Sequence, residues 1–292
     1  MEWYIESGRL ISEESWKKRI SGFCAEKVLF SSPEAELSEK FLSAVEKRLP
    51  KGEFGVMLSG GVDSTLIAFC AKKLGHSPMC FSVGMKESDD LKWAEAASSE
   101  LGFKFEKKVF SKEEFEAMIK ETESILKTDD PVTLSIGAVT YSALRLASSN
   151  GIKILFSGLG SEELFAGYDR HLKALKAGGD VNAECMAGLF SMYSRDIMRD
   201  YPLANSLSCE IRTPFLDEDL IRLAMSIPQQ LKINESEKKI IIRKAALVLG
   251  LPEKFAMRKK KAAQYGSGFD KGLKKLGKSH GFLLRKDYVK NL

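Results

Sequence analysis

The run Phe54-Gly55-Val56-Met57-Leu58-Ser59-Gly60-Gly61-Val62-Asp63-Ser64 restricts this chain more than any other stretch. Phe54 to Leu58, apolar apart from Gly55, is predicted as a short buried strand, and Thr65 to Leu74 as a packed helix. A strand, a glycine turn and a helix in that order make an anion site. The glycines let successive N–H groups converge, and the helix N-terminus adds about half a positive charge. Ser59 and Ser64 supply hydroxyls, while Asp63 is placed to hold a metal or to orient the loop. No lysine stands where the P-loop G-x-x-x-x-G-K-[ST] has one, so that motif is excluded. An ordinary βα turn has the same outline, and the stretch by itself leaves that reading open.

Further strands are predicted at Met79 to Gly84, Phe103 to Phe110 and Ile152 to Phe156. Between them lie helical stretches at Glu34 to Arg48, Asp89 to Leu101 and Gly137 to Ser149, and one opened by the capping box Ser111-Lys112-Glu113-Glu114. Asp129-Asp130-Pro131 reads as a loop. This alternation predicts the α/β class, a parallel sheet covered by helices on both faces. Ligands in such sheets bind at the carboxyl ends of strands near a switch point, and the Ser59-Gly60-Gly61 and Ser157-Gly158 turns both lie at such ends. After about residue 160 only helices are expected, over 161–176, 182–199, 216–227, 237–249 and 268–278. The expected organisation is an N-terminal extension over 1–33 without clear chemistry, one unit over 34–280 (α/β core to 160, helical C-terminal half beyond), and a tail over 281–292 that frays.

Composition narrows the function classes. The 292 residues are 44% hydrophobic and 29% charged, ordinary for a soluble globular chain. No apolar run reaches the roughly 18 residues of a membrane span, and the acidic start Met1-Glu2-Trp3-Tyr4-Ile5-Glu6 is unlike a signal peptide. Cys24, Cys70, Cys80, Cys185 and Cys209 are odd in number and form no C-x-x-C pair. That argues for a reducing cytoplasm and against a zinc site or a disulfide framework. Three histidines argue against His-based metal chemistry. The net charge of +5 suits an anionic small substrate as well as nucleic acid.

A second loop, Ser157-Gly158-Leu159-Gly160-Ser161-Glu162-Glu163, repeats the logic of the first with two acids in the opening helical turn. Acids there complement the helix dipole. They are equally suited to Mg²⁺, which takes one or two carboxylates together with phosphate oxygens, and Asp63 would complete the same site. Ser59-Gly60-Gly61-Val62-Asp63-Ser64 resembles the pyrophosphate loop of the N-type ATP pyrophosphatases, the group of adenine nucleotide alpha hydrolase-like folds that includes asparagine synthetase. Phe81 to Gly84, the second loop, Gly167-Tyr168, Glu210 to Asp217, Lys239 to Lys244 and Arg258-Lys259-Lys260 are similar to asparagine synthetase motifs in order and spacing, over roughly 34–268. Ser135-Ile136-Gly137 and Lys261 to Ser267 bring the chain nearest to stand-alone asparagine synthetase-related chains and the asparagine synthetase domain-containing proteins of eukaryotes.

The resemblance implies an ATP-dependent amide-forming ligase that adenylates an aspartate-like carboxylate, with release of pyrophosphate and AMP. By that resemblance Leu58, Val83, Ser157 and Gly158 would contact adenosine. Ser59, Gly60, Gly61, Asp63 and Ser64 would hold pyrophosphate, and Asp63 with Glu162 would hold Mg²⁺. Lys260 and Lys239 would meet the phosphates, and Asp196 and Arg199 would lie near the acyl substrate. Fixed cations suit a phosphorus centre that gains negative charge during transfer, although the run Arg258 to Lys261 also reads as a solvated basic patch. Asp63→Ala is expected to abolish turnover with little change in thermal midpoint, and Arg212 to pair with Glu210 or Asp217.

Three departures from the family pattern stand out. Leu159 replaces the glutamate of the second loop and accepts no proton, leaving Glu163 or Asp196 as candidates for a base. Ser135 falls where asparagine synthetase has an arginine. Met1-Glu2 offers no N-terminal cysteine, and too little chain precedes residue 54 for a glutaminase domain, so ammonia or a separate amidotransferase subunit is expected to supply the amine. Two alternatives follow: an ATP-binding regulator that has lost acceptor chemistry, and an RNA-modifying pyrophosphatase. Arg258 to Lys261 permits the second, and the lack of paired cysteines weighs against its thiolating form.

Overall fold

The structure, a computed structural model, describes residues 2–259 and 261–292. Its strands are β1 (Ile5–Glu6), β2 (Arg9–Leu10), β3 (Gly55–Met57), β4 (Met79–Met85), β5 (Lys104–Phe110), β6 (Ile154–Phe156) and β7 (Glu210–Arg212). β1 and β2 form a small antiparallel hairpin. The other five form one parallel sheet in the order β5-β4-β3-β6-β7. From β3 the chain steps outward to β4 and β5, then returns to lay β6 on the opposite side of β3, with Gly55 opposite Leu155 and Val56 opposite Phe156. That reversal is the switch point, and the carboxyl ends of β3 and β6 flank its crevice.

Alternation along the strands divides the interior into two cores. Val56, Cys80 and Phe156 face one, and Phe81, Val83 and Leu155 face the other. The helices Pro33–Glu46, Val62–Lys73 and Ile240–Leu249 cover the first face, and Lys112–Leu126, Pro131–Ser149 and Phe269–Ser279 cover the second. Local signals set their ends. Ser88 and Ser111 cap their helices as the sequence suggests, and Gly102, at φ 64°, ends the helix Asp89–Leu101. Among the described residues no helix is long and apolar enough to cross a membrane.

The structure departs from the sequence reading in five places. β7 is a strand in the half expected to be wholly helical; Ile211 is its single apolar residue, between Glu210 and Arg212, so no hydrophobic run betrays it. Asp130 and Pro131 are not loop but the N-cap and first turn of Pro131–Ser149, where proline's fixed φ suits a helix start. The stretch over 161–176 is broken between Ser161–Leu164 and Asp169–Lys176, with Ala166 in the left-handed region at φ 54°. The helix Val181–Met192 runs into a π turn at Tyr193–Ile197 before Met198–Ser206. The tail folds, with Tyr288 and Val289 of Arg285–Val289 buried.

Residues of the N-terminal stretch are tied into the core. Trp16, in the helix Glu13–Ala25, is fully buried and donates through Nε1 to Leu189 O at 2.9 Å. The Tyr4 hydroxyl lies 2.8 Å from Thr213 Oγ1. Arg48 joins the buried Glu2 at 2.9 Å to Asp217 at 2.8 Å, linking the chain start to the segment after β7. Arg212 pairs with Glu210 at 2.8 Å and donates to Arg48 O, so it fastens β7 as expected, while Asp217 takes Arg48 instead.

Candidate active site

The first glycine turn leaves β3 at Leu58, whose N–H donates to Phe81 O at 2.8 Å. Gly60 has φ 68°, and a Cβ there would sit 2.5 Å from the Trp93 carbonyl carbon, so this turn admits only glycine. Ser64 Oγ accepts from Ser59 N–H at 3.1 Å and lies 3.0 Å from Ser59 Oγ, which closes the loop on the first turn of Val62–Lys73. Arg258 braces it from outside. Its guanidinium donates to Ser59 O at 2.6 Å and to Asp90 Oδ1 at 3.0 Å and stacks over the Trp93 ring. Buried at 7% exposure, Arg258 is no part of a solvated patch, whereas Lys261 is exposed and pairs with Asp89. The basic run gave a signal, but only packing separates the two roles.

Across the crevice Ser157 N–H donates to Arg212 O at 2.9 Å, fixing the second loop to β7. Ser161 Oγ donates to Asp63 Oδ1 at 2.6 Å. Lys239 Nζ lies 2.8 Å from Asp63 Oδ2 and 2.6 Å from Glu162 Oε1. Burial opposes the charge of this lysine, and the two carboxylates overcome it, holding the ammonium above the ordinary lysine range. Lys239 sits in the left-handed region at φ 60° as the N-cap of Ile240–Leu249. Gly167 leaves room for the cluster, since a Cβ there would overlap Glu162 Oε2 and lie 2.6 Å from Lys239 Cε. Two carboxylates therefore converge on one cationic point. Their donor chemistry fits Mg²⁺, provided phosphate oxygens complete the shell; among the described residues no group of three or more His, Cys, Asp or Glu gathers into a protein-only site.

Leu58 and Val83, expected beside adenosine, are buried core side chains at the carboxyl end of β3 and within β4. Ser157 and Gly158 lie in the second loop, directly after β6. Asp196 and Arg199 belong to a separate chain of ion pairs that starts at Glu163, one residue from Glu162. Glu163 pairs with Arg195, Arg195 with Asp196 at 2.6 Å, and Asp196 with Arg199 at 3.1 Å. Arg199 grips both oxygens of Asp200, at 2.8 and 2.9 Å. Arg195 and Asp196 lie in the π turn, a distortion common at functional sites. Burial first, and then the charge of Asp196, push the Glu163 carboxyl up, against the pull of Arg195. Ser135 is fully buried and donates to Val132 O at 3.1 Å. Lys260 lies outside the described residues. Ser161 and Arg258 are site neighbours that sequence reasoning quoted within motifs but gave no role of their own, the first hidden as an ordinary helix-start serine and the second inside a basic run.

The family model for asparagine synthase matches residues 36–181 and 175–280. The chain belongs to the asparagine synthase family. Among its relatives is the Methanocaldococcus jannaschii protein named "Putative asparagine synthetase (glutamine-hydrolyzing) 1", 30% identical over 96% of this chain and 58% of that protein. The asparagine synthetase of Triphysaria versicolor is 31% identical over 70% of this chain and 37% of its own length. Asparagine synthetase B of Escherichia coli is 30% identical over 74% of this chain and 42% of its own. This family member thus spans about half the length of the curated relatives it matches. The solved NMN synthetase of Francisella tularensis superposes with a TM-score of 0.47 at 13% identity, over 90% of this chain and 94% of that one, too loose a match to bear on chemistry.

Proposed function

We propose that this chain is an ATP-dependent ligase that activates a carboxylate as its adenylate and passes the acyl group to an amine. One observation carries the reading: Asp63 and Glu162 converge on Lys239 between two glycine turns at the switch point of the sheet. The turn from Ser59 to Ser64 would receive the β- and γ-phosphates through its N–H groups and hydroxyls, helped by the helix dipole. Leu58 and Val83 would wall the adenine side, with Ser157 and Gly158 facing the ribose. Asp63 and Glu162 would hold Mg²⁺, which supplies charge neutralisation of the phosphates when bound. Lys239, released from the carboxylates, would turn its ammonium onto a phosphate oxygen, and Lys260 would serve the α-phosphate. Asp196 and Arg199 would set the acyl substrate, held rigid by Arg195 and Asp200.

In the reaction, a carboxylate oxygen attacks the α-phosphorus and the bond to the β-phosphate bridging oxygen breaks, releasing pyrophosphate. An amine then attacks the acyl carbon and AMP departs. Aspartate is the first acid to try, with ammonia or a separate amidotransferase as amine source. The test is exchange of labelled pyrophosphate into ATP across a panel of carboxylates. Exchange with at least one acid, and AMP release once an amine is added, is the expected result. If no acid gives either product, the ligase reading is wrong.

A further inference from the structure

The end of the chain concentrates positive charge. From Arg258 to Leu292 the sequence has eleven lysines and arginines against two aspartates, a net of +9 in a chain of +5, so the preceding 257 residues are net −4. The helix Phe269–Ser279 sorts its share by face. Phe269, Gly272, Leu273, Leu276 and Gly277 are buried, while Lys271, Lys274, Lys275 and Lys278 are exposed on the opposite side. Spaced three and four residues apart, these lysines are neighbours on the helix surface and repel one another. The flanking acids are taken by other groups, Asp270 by Arg285, and Glu116 by Lys120 at 2.7 Å and His280 at 3.1 Å. Among the described residues no ion pair joins any of the four lysines to a carboxylate.

Just past this helix the chain sets two leucines out in water. Leu283 is 86% exposed and Leu284 63%. The loop that carries them is fastened at its base. Phe282 N–H donates to Gly277 O at 2.9 Å, and the Phe282 side chain packs against the second core with its ring 5.9 Å from that of Tyr288. His280 stacks on Tyr288 at 5.3 Å, and Tyr288 and Val289 are buried. Lys286 and Lys290, one turn apart on the helix Arg285–Val289 and its end, are exposed, as is Asp287 between them. Along the chain the two leucines are therefore bracketed by lysines, at a tip that buried neighbours hold in place.

We propose that this end of the molecule docks on an anionic lipid surface, with the lysines of Phe269–Ser279 against the phosphate headgroups and Leu283 and Leu284 entering the acyl boundary. The combination favours lipid over nucleic acid. A phosphodiester backbone would satisfy the lysines and leave both leucines in water, whereas a bilayer interface takes each in its own layer. Lysines alone or two leucines alone give weak, reversible attachment, and the two signals together hold. The contact is peripheral and does not depend on the ligase reading.

Co-sedimentation of the full chain with vesicles tests it. Phosphatidylcholine vesicles containing about one-third phosphatidylglycerol should bind the protein, and pure phosphatidylcholine should bind it roughly a hundredfold more weakly. Binding should fall steeply as NaCl is raised, since the lysines are exposed. Replacing Lys274 and Lys278 together by glutamine should weaken binding by about fivefold per lysine. Leu283→Ser with Leu284→Ser should weaken it about tenfold and leave the salt dependence in place. All four positions are exposed, so thermal midpoints should stay at the wild-type value. In a second measurement the fluorescence of Leu284→Trp should shift to the blue on the anionic vesicles and be quenched by lipids brominated in their acyl chains. Equal binding to pure phosphatidylcholine, full affinity in the lysine variant, or an emission that the vesicles leave unchanged overturns the proposal. So does a duplex RNA that displaces the protein from vesicles and binds the leucine variant as well as wild type, which would make the lysine face a nucleic-acid surface.

Discussion

Replacing Lys239 by methionine should turn a metal-independent fold into a Mg²⁺-stabilised one. The ammonium lies 2.8 Å from Asp63 and 2.6 Å from Glu162, so its loss leaves two carboxylates within roughly 5 Å of each other. At an effective dielectric of about 20 that repulsion is about 3 kcal/mol before screening. Glu162 is 38% exposed, and solvent will reduce its share. Methionine fills the space of the lysine stem and removes the burial penalty of the ammonium, which offsets part of the loss. The net cost in metal-free buffer should be about 1–3 kcal/mol, a fall in thermal midpoint of about 2–6 °C for a chain of this size. The same vacated point is the divalent-cation position proposed here. Mg²⁺ at about 100 times its dissociation constant would restore about 2.7 kcal/mol.

The assay is a thermal melt of wild type and Lys239→Met with EDTA, with Mg²⁺, and with NaCl at equal ionic strength. Mg²⁺ should raise the variant's midpoint by several degrees more than it raises the wild type's, because in the wild type Lys239 competes for the site. NaCl should do far less. Equal Mg²⁺ responses in the two proteins would refute a shared cation site. A variant as stable as wild type in EDTA would show that the pairing contributes nothing in solution.

Asp63→Ala should abolish ATP turnover, but its midpoint should also fall by about 2–4 °C, since it strips one partner from a buried lysine that keeps Glu162; an unchanged midpoint would restore the expectation drawn from sequence. Arg258→Lys should raise KM for ATP about tenfold, measured by steady-state kinetics, because a point charge cannot donate to Ser59 O and Asp90 together; a change confined to kcat would place Arg258 in the chemistry instead. His171 is fully buried, and burial, with Arg170 and Lys232 nearby, lowers its pKa from 6.5 to about 4. Between those values the unfolded chain binds the extra proton, so the stability present above pH 6.5 is lost as pH falls towards 4, by up to about 3 kcal/mol. His171→Asn, which keeps an acceptor for the Tyr168 N–H, should flatten that slope in denaturant titrations, and an unaltered slope would assign the effect to other groups.

Legibility in the sequence followed the range of the forces involved. β4 and β5 and their helices announce themselves because alternation, caps and glycine stops are local, as at Ser88, Gly102 and Ser111. β7 does not, because three residues with one apolar side chain become a strand only through β6. Trp16 looks like one aromatic on a weakly amphipathic helix until its indole meets Leu189 across the core. Asp63 and Glu162 could be singled out from their turns. That Lys239, far along the chain, sits between them is a statement about tertiary structure, as is the division of the basic run into a buried Arg258 and an exposed Lys261.

The proposed phosphate site and the apolar cavity beside its second loop are built from different parts of the chain, and they answer differently to substitution. The proposed phosphate site consists of the turns after β3 and β6 with Lys239, where Ser59, Ser64, Ser161, Asp63 and Glu162 hold one another in place. A change there disturbs several partners at once, so substitutions couple. A cavity of about 410 Å³ beside Leu159 is lined instead by β7, the hairpin β1–β2 with its flanks and the helix Met198–Ser206, joined by links such as Tyr4 to Thr213 and Tyr201 to Gly8 O. Apolar walls tolerate exchange of side chains of similar volume, so the cavity can be reshaped without loosening the two turns. Leu159 is the residue where they meet. It stands in the second glycine loop, lines the cavity and is half-buried against the first core, so a carboxylate at that position would keep access to solvent and would give up the apolar contacts that leucine makes there.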